Sequence, residues 1–418
     1  MNIHSIAAAL TRQIETGIPS VIWLKLCAGI MSSSLALTAC AARQPPLTAT
    51  ASYAQTQDGG DLSVSSGIAP PLTATASDPQ TAVPTDVLPT ATRVNILQMR
   101  PYSGGSIWNT PIGPAPRYDP YSTEMIATIG RGITSDPNQY SFPVYFVDNA
   151  TPRWDIPCTR YRCTIVTPEG ASRTPVLTDV PIPPDAKPST GTDAQIIIID
   201  KVTGAEYDLW QVVRTDTGWT VSNGSVYNIY WDGMPKRYGS RGAGLPYYAG
   251  LVRPWEILRG RIEHALTLGY PIPADKEKGC VFPATKTDGD STLPYAIPEG
   301  ARLQLDPSLT EADFDAWGLN RTGKIIARAL QEYGMFLVDN SGRPKIEVED
   351  LANNPYATMQ WEDPALNLTS TTIASIPYTA YRVLALPQAY WNPALGGPTH
   401  GDCYAYPEGV PLLHWKGD

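Results

Sequence analysis

The sequence predicts a mainly β, α+β fold: an antiparallel β-sandwich or jelly-roll-like body with two to three peripheral helices. Strand-length runs rich in β-branched and aromatic residues recur between Gly- and Asn-containing turns. Only a few segments carry a helical apolar period, and they follow the strands instead of alternating with them, which argues against a doubly wound sheet.

The elements follow in chain order. Ala194–Asp200 contains Ile196 through Ile199, a buried strand by length and β-branching. A turn at Thr203-Gly204 leads to Glu206–Arg214, with Tyr207, Leu209 and Gln211 on one face and Glu206, Asp208, Trp210 and Val212 on the other. Thr217-Gly218 turns again before Trp219–Val221, completing an antiparallel meander. Ala301–Asp306 and Met335–Asp339 read as later strands. Pro254–Leu268 reads as a helix, with Pro near its first position, Glu256 in its first turn, and Leu258, Ile262, Ala265 and Leu266 on its core face. A second helix, Thr322–Tyr333, stops at Gly334. Before it, Ser308-Leu309-Thr310-Glu311 resembles a capping box.

Three segments divide the chain. Residues 1–39 read as a bacterial lipoprotein signal: an apolar run from Leu26 closes on Leu37-Thr38-Ala39-Cys40, with Cys40 as the lipidated residue. The run is too short, and too interrupted by Ser32–Ser34, for a membrane span. Residues 40–93 form a Pro/Thr/Ala/Ser-rich tether in which Pro45–Ser52 is repeated at Pro70–Ser77. Residues 94–418 form a single β-rich domain. The expected location is extracytoplasmic, with the membrane reached only through the lipid.

A net charge of −9 excludes a general nucleic-acid binder and is mildly unsuited to polyanions, although a local basic cleft would override the global sign. Export favours disulfides among Cys158, Cys163, Cys280 and Cys403. Short spacing suggests Cys158–Cys163, and Cys280–Cys403 would then tie down the C-terminal tail. The spacings match no zinc pattern.

Candidate chemistry is densest in Gly242–Leu268. Glu256, Gly260 and His264, spaced four apart on the expected helix, would place an acid/base pair beside a glycine hollow; alternatively Glu256 supports the helix N-terminus and His264 bonds a loop. Glu206 and Asp200, grouped with Asp208 at a hairpin turn, are candidate second carboxylates or a solvated turn. Tyr248, Trp210 and Trp255 are candidate sugar platforms, and Arg253 would neutralise a uronate. Tyr and Trp number 22 and 11 against 5 Phe, a balance suited to sugar stacking or to a sandwich interior with polar tips. Asp288-Gly289-Asp290 is a turn able to offer oxygens to Ca²⁺, and Asp339-Asn340 reads as an Asx-turn. No zincin, nucleophile-elbow, Walker or dinucleotide motif occurs, so no cofactor is expected.

Several runs resemble a group of secreted bacterial β-rich proteins: Ser106–Ile112 (SIWNTPI), Glu206–Trp210 (EYDLW), Gly242–Glu256 (GAGLPYYAGLVRPWE), Ile262–Leu266 (IEHAL), Pro298–Pro307 (PEGARLQLDP) and Ala329–Gly342 (ALQEYGMFLVDNSG). The resemblance spans nearly the whole body and implies secretion and a β-rich fold, with no catalytic residue to carry over. In many of these similar proteins a His follows the Pro-Ala that matches Pro283-Ala284. Here Thr285-Lys286-Thr287 stands instead, a departure that weighs on an enzymatic reading. The resulting expectation is glycan cleavage at the cell surface, by hydrolysis or β-elimination, with a non-catalytic glycan- or wall-binding lipoprotein as the competing class.

Overall fold

A computed structural model describes residues 96–387 apart from Lys236 and Lys276. The expected signal, the tether, Cys40 and Cys403 lie outside the described residues. The described part falls within one compact unit, Val87–Asp418.

The strands are β1 (Thr134–Ser135), β2 (Val144–Val147), β3 (Arg153–Pro157), β4 (Cys163–Thr167), β5 (Gly170–Thr174), β6 (Val176–Pro181), β7 (Ile196–Asp200), β8 (Ala205–Trp210), β9 (Val213–Thr215), β10 (Gly218–Thr220), β11 (Asn223–Asn228), β12 (Leu266–Tyr270), β13 (Arg302–Leu305), β14 (Met335–Asn340), β15 (Lys345–Ile346) and β16 (Tyr381–Val383). The helices are α1 (Ser122–Ala127), α2 (Pro254–Arg259), α3 (Glu311–Ala316) and α4 (Arg321–Glu332). Among the described residues no helix is long and apolar enough to cross a membrane.

The fold is β-rich α+β, as the patterning predicts. One six-stranded sheet runs β2-β7-β8-β11-β4-β5, and a second runs β1-β15-β12-β14-β13-β16. Of the expected meander the β7–β8 hairpin is present, antiparallel, but the next strand beside β8 is β11; the expected third strand, Trp219–Val221, instead supplies β10, which pairs with β9 in a separate two-stranded ribbon. The sheets as wholes are mixed, because β2–β7, β4–β11, β1–β15 and β12–β14 pair in parallel. The all-apolar run Ile196–Ile199 suits this, since a strand covered on both faces needs no polar alternation. Ile196 and Ile198 pack with Leu177, Leu209 and Trp219 on one side, while Ile197 and Ile199 pack with Phe142, Tyr247 and Tyr248 on the other. The second sheet's largest core gathers Leu303, Leu305, Met335 and Leu337 with Ile326 and Leu330 of α4.

Three boundaries differ from the sequence reading. The helix expected over Pro254–Leu268 ends at Arg259, because Gly260 takes a left-handed conformation at φ 88° and closes the helix. Ile262 and Ala265 are buried from the following loop, Leu266 opens β12, and Leu258 is exposed. Strand β8 stops at Trp210, where Gln211 has φ 52°. The capping box before α3 is made by Thr310 and Asp313, beyond the expected Ser308–Glu311 pairing.

Candidate functional site

The Cys158–Cys163 disulfide is present, and it closes the loop carrying Arg160 and Tyr161. Backbone N–H groups of Thr159, Arg160 and Tyr161 donate to Val221 and Ser222 carbonyls at 2.7–3.1 Å, pinning that loop to the end of the first sheet. Cys280 is also disulfide-bonded.

The stapled loop forms one wall of a cleft of about 490 Å³, lined also by Arg173, Trp210, Tyr238, Gly242, Lys286, Asp288 and Asp339. Tyr161 stacks on Trp210 with ring centres 6.5 Å apart and planes 21° from parallel. Asp193 fixes the indole, accepting from Trp210 Nε1 at 3.2 Å.

The floor comes from three separate segments. Asp339 lies near the end of β14, Asp288 in the loop after Lys286, and Glu299 ahead of β13; one carboxyl oxygen of each lies within 4.8 Å of the others. Each carboxyl is also held by a backbone N–H. Gly242 donates to Asp339 Oδ1 at 3.0 Å, Asn340 to Asp288 Oδ1 at 3.2 Å, and Asp288 to Glu299 Oε2 at 3.3 Å. Glu299 is fully buried, and its Oε1 has no hydrogen-bond partner. Gly242 is required here, since a Cβ would fall 2.3 Å from Asp288 Oδ1 and 2.7 Å from Glu299 Oε1.

Burial, followed by the negative charges of Asp288 and Glu347, pushes the Asp339 carboxyl well above the usual aspartate range. Arg241 and the Gly242 N–H oppose this rise without cancelling it. Burial and the charges of Asp288 and Asp339 raise Glu299 in the same way. Asp339 remains partly exposed to the cleft and Asp288 is exposed, whereas Glu299 is enclosed. These three carboxyls are the described group able to approach a metal ion. They supply three side chains toward the ~6–8 oxygens a Ca²⁺ takes, and Asp290 of the expected Ca²⁺ loop is not among them.

Beneath the floor lies a second acid pair. Glu206 and Asp208 share the face of β8 turned toward Ile197, Ile199 and Tyr248, and both are almost completely buried. Asp208 Oδ2 accepts from Ser240 Oγ at 2.6 Å and Tyr247 N at 2.7 Å. Glu206 accepts from Tyr102 Oη at 2.7 Å and Tyr248 N at 3.1 Å. The pair thus anchors both ends of the 240–248 loop, which carries Arg241 and Gly242 into the cleft. Burial, with Asp208's charge second, raises Glu206 strongly; burial lifts Asp208 to about 6 against its hydrogen bonds.

A raised folded-state pKa stabilises below the unfolded value and loses that contribution as pH climbs through the folded one. A tenfold difference in proton affinity between the folded and unfolded chain is worth ~1.4 kcal/mol. Thermal unfolding is therefore expected to show stability falling as pH rises through about 6 and beyond. Glu206→Gln, which keeps a neutral hydrogen-bonding side chain, should shallow that fall. An equally steep decline in the variant would count against a proton held by this buried pair.

The structure relocates most of the sequence-predicted site. Glu256 and His264 do meet, at 2.9 Å from His264 Nε2 to Glu256 Oε1, but both are 2% exposed and neither lines the cleft. They are not a stripe on one helix, since the helix has ended before His264. Glu206 is no solvated turn residue; it lies under the cleft floor. Asp200 is buried, pairs with Arg153 at 2.9 Å and caps its turn through Val202 N at 2.8 Å. Arg253 is taken up by Glu349 at 2.8 Å and by Tyr248 Oη, and both Arg253 and Tyr248 are buried outside the cleft lining. Trp255 lies on α2 with Arg259 over its ring, away from the cleft lining. Trp210 alone of the named candidates reaches the cleft. Sequence reasoning noticed Asp288 as part of a turn able to offer oxygens to Ca²⁺, Asp339 as an Asx-turn residue and Lys286 only as a departure from relatives, and it assigned no role to Glu299 or Arg160. Gly242, flanked by special backbone, was the available signal.

The chain matches no protein-family model, no curated protein and no solved structure.

Proposed function

We propose that this protein is a lipid-anchored enzyme of the bacterial cell surface that cleaves polysaccharide in the Asp288–Asp339 cleft. The observation that carries the reading is Asp339: a carboxyl favoured in its protonated form by burial and neighbouring charge, yet open to an aromatic-walled cleft. In hydrolysis Asp339 gives its proton to the glycosidic oxygen as the bond from C1 breaks. Asp288 faces the developing positive charge at C1, and water supplies the new hydroxyl. Trp210 and Tyr161 form the wall along which sugar rings would lie.

The test is a polysaccharide panel assayed for new reducing ends and for unsaturated-uronate absorbance. Reducing ends without absorbance, lost in Asp339→Asn, are the expected result. Absorbance together with reducing ends would assign β-elimination instead. Retention on a polymer with neither signal would sink the enzymatic reading and leave a glycan-binding lipoprotein.

A further inference from the structure

We infer that the cleft selects a carboxylated, uronate-containing glycan, and that Arg160 and Arg173 are the residues that read the carboxylates. This rests on the glycan reading of the cleft proposed above. The chain as a whole carries −9, yet this cleft is edged by Arg160, Arg173 and Lys286, none of which forms an ion pair among the described residues. The cations of the neighbouring interior are committed: Arg241 to Glu347 and Arg253 to Glu349.

The two guanidiniums are also positioned. Arg160 Cζ lies 5.1 Å from the Tyr161 ring centre and 5.9 Å from that of Trp210. Arg173 Cζ lies 4.8 Å from the Tyr238 ring centre, and its Nη2 donates to the Arg162 carbonyl at 2.8 Å. The disulfide and the backbone bonds to Val221 and Ser222 restrain the loop beneath Arg160. A guanidinium held against a ring keeps its in-plane N–H fork free, and that fork matches a carboxylate in two parallel bonds. No side-chain hydrogen bond of Arg160 competes for the fork among the described residues. An exposed arginine elsewhere would need no explanation. Two ring-backed guanidiniums give one edge of a sugar-sized cleft a cationic rim, set apart from its Asp288–Asp339 floor, with a shape suited to uronates.

The experiment compares binding of the full protein to polygalacturonate, alginate and hyaluronan with binding to the carboxyl-reduced form of each, using affinity electrophoresis and calorimetry. Dextran sulfate serves as a polyanion without carboxylates. At least one acidic polymer should bind about tenfold or more tighter than its reduced form. Arg160→Ala/Arg173→Ala should erase that difference while leaving the unfolding temperature near wild type. Equal binding of a polymer and its reduced form, no binding to any acidic member, equal retention on dextran sulfate, or an unchanged preference in the double variant would each overturn the inference. Arginine-dependent binding of a uronate polymer without turnover would remove the enzymatic proposal and leave this one standing. Asp339-dependent cleavage of a neutral glycan with no acidic preference would do the reverse.

Discussion

His264→Ala is expected to cost the fold about 3–5 kcal/mol, the range for breaking one side of a buried ion pair, and to leave the cleft chemistry untouched in whatever protein folds. Both imidazole nitrogens are engaged: Nε2 with Glu256 Oε1 at 2.9 Å and Nδ1 with the Ala265 carbonyl at 3.0 Å. Burial opposes charge on the ring, but the Glu256 carboxylate and both hydrogen bonds outweigh it, and the pKa rises above its ordinary value. The pair joins the first turn of α2 to the segment just before β12. Glu256 Oε2 meanwhile accepts from Arg253 N at 3.0 Å, so the same carboxylate caps the helix. Removing the ring leaves Glu256 Oε1 enclosed without that partner, which is the costly case. The sign of the pH dependence follows from the raised pKa. The stabilisation is complete below the unfolded value near 6.5 and fades as pH rises through the higher folded value, in the same direction as the Glu206–Asp208 pair. Glu256→Gln should lose part of the stability and most of that pH dependence. Denaturant unfolding across pH, set beside turnover per folded molecule, separates the roles: lost turnover at unchanged stability would return the pair to the chemistry.

This pair marks where sequence reasoning succeeds and where it stops. The periodicity that joined Glu256 to His264 assumed one uninterrupted helix, and Gly260 ended it. The two side chains nevertheless meet, brought together by a turn and a strand instead of helical spacing. Local signals served well where local energetics decide. β-Branching and turn chemistry located β7, β8 and β14, and apolar spacing with a terminal Gly334 located α4. The cleft was poorly legible because its carboxyls come from positions 288, 299 and 339, each of which in isolation reads as an ordinary turn or strand-end acid. The clustered acids of β8 drew attention by proximity in sequence. Their burial against Tyr102, Tyr247 and Tyr248 became visible only once the second layer was in place. The disulfide was legible from spacing, whereas its effect on Arg160 and Tyr161 was not, since the partner ring, Trp210, lies far along the chain.

Asp339→Asn is expected to reduce glycan cleavage by about 10²–10⁴-fold, the usual contribution of a general acid, with binding of uncleaved polymer little changed. Asparagine keeps the acceptor for the Gly242 N–H and removes only the transferable proton, so stability should hold where Asp339 is protonated and rise slightly at higher pH, where repulsion between its charged form and Asp288 is relieved. The wild-type rate should fall on the alkaline side as pH climbs through the raised Asp339 value, because the acid must carry its proton when the glycosidic bond breaks. Asp288→Asn supplies the discriminating comparison. It removes a charge that lifts Asp339, so the alkaline limb of any residual activity should move to lower pH, toward the ordinary aspartate range. A purely structural Asp288 would lower the rate without moving that limb. Turnover in Asp339→Asn within a few fold of wild type would locate the acid elsewhere. A rate loss confined to KM would instead assign Asp339 to binding, because removing a proton donor from the chemical step must appear in kcat.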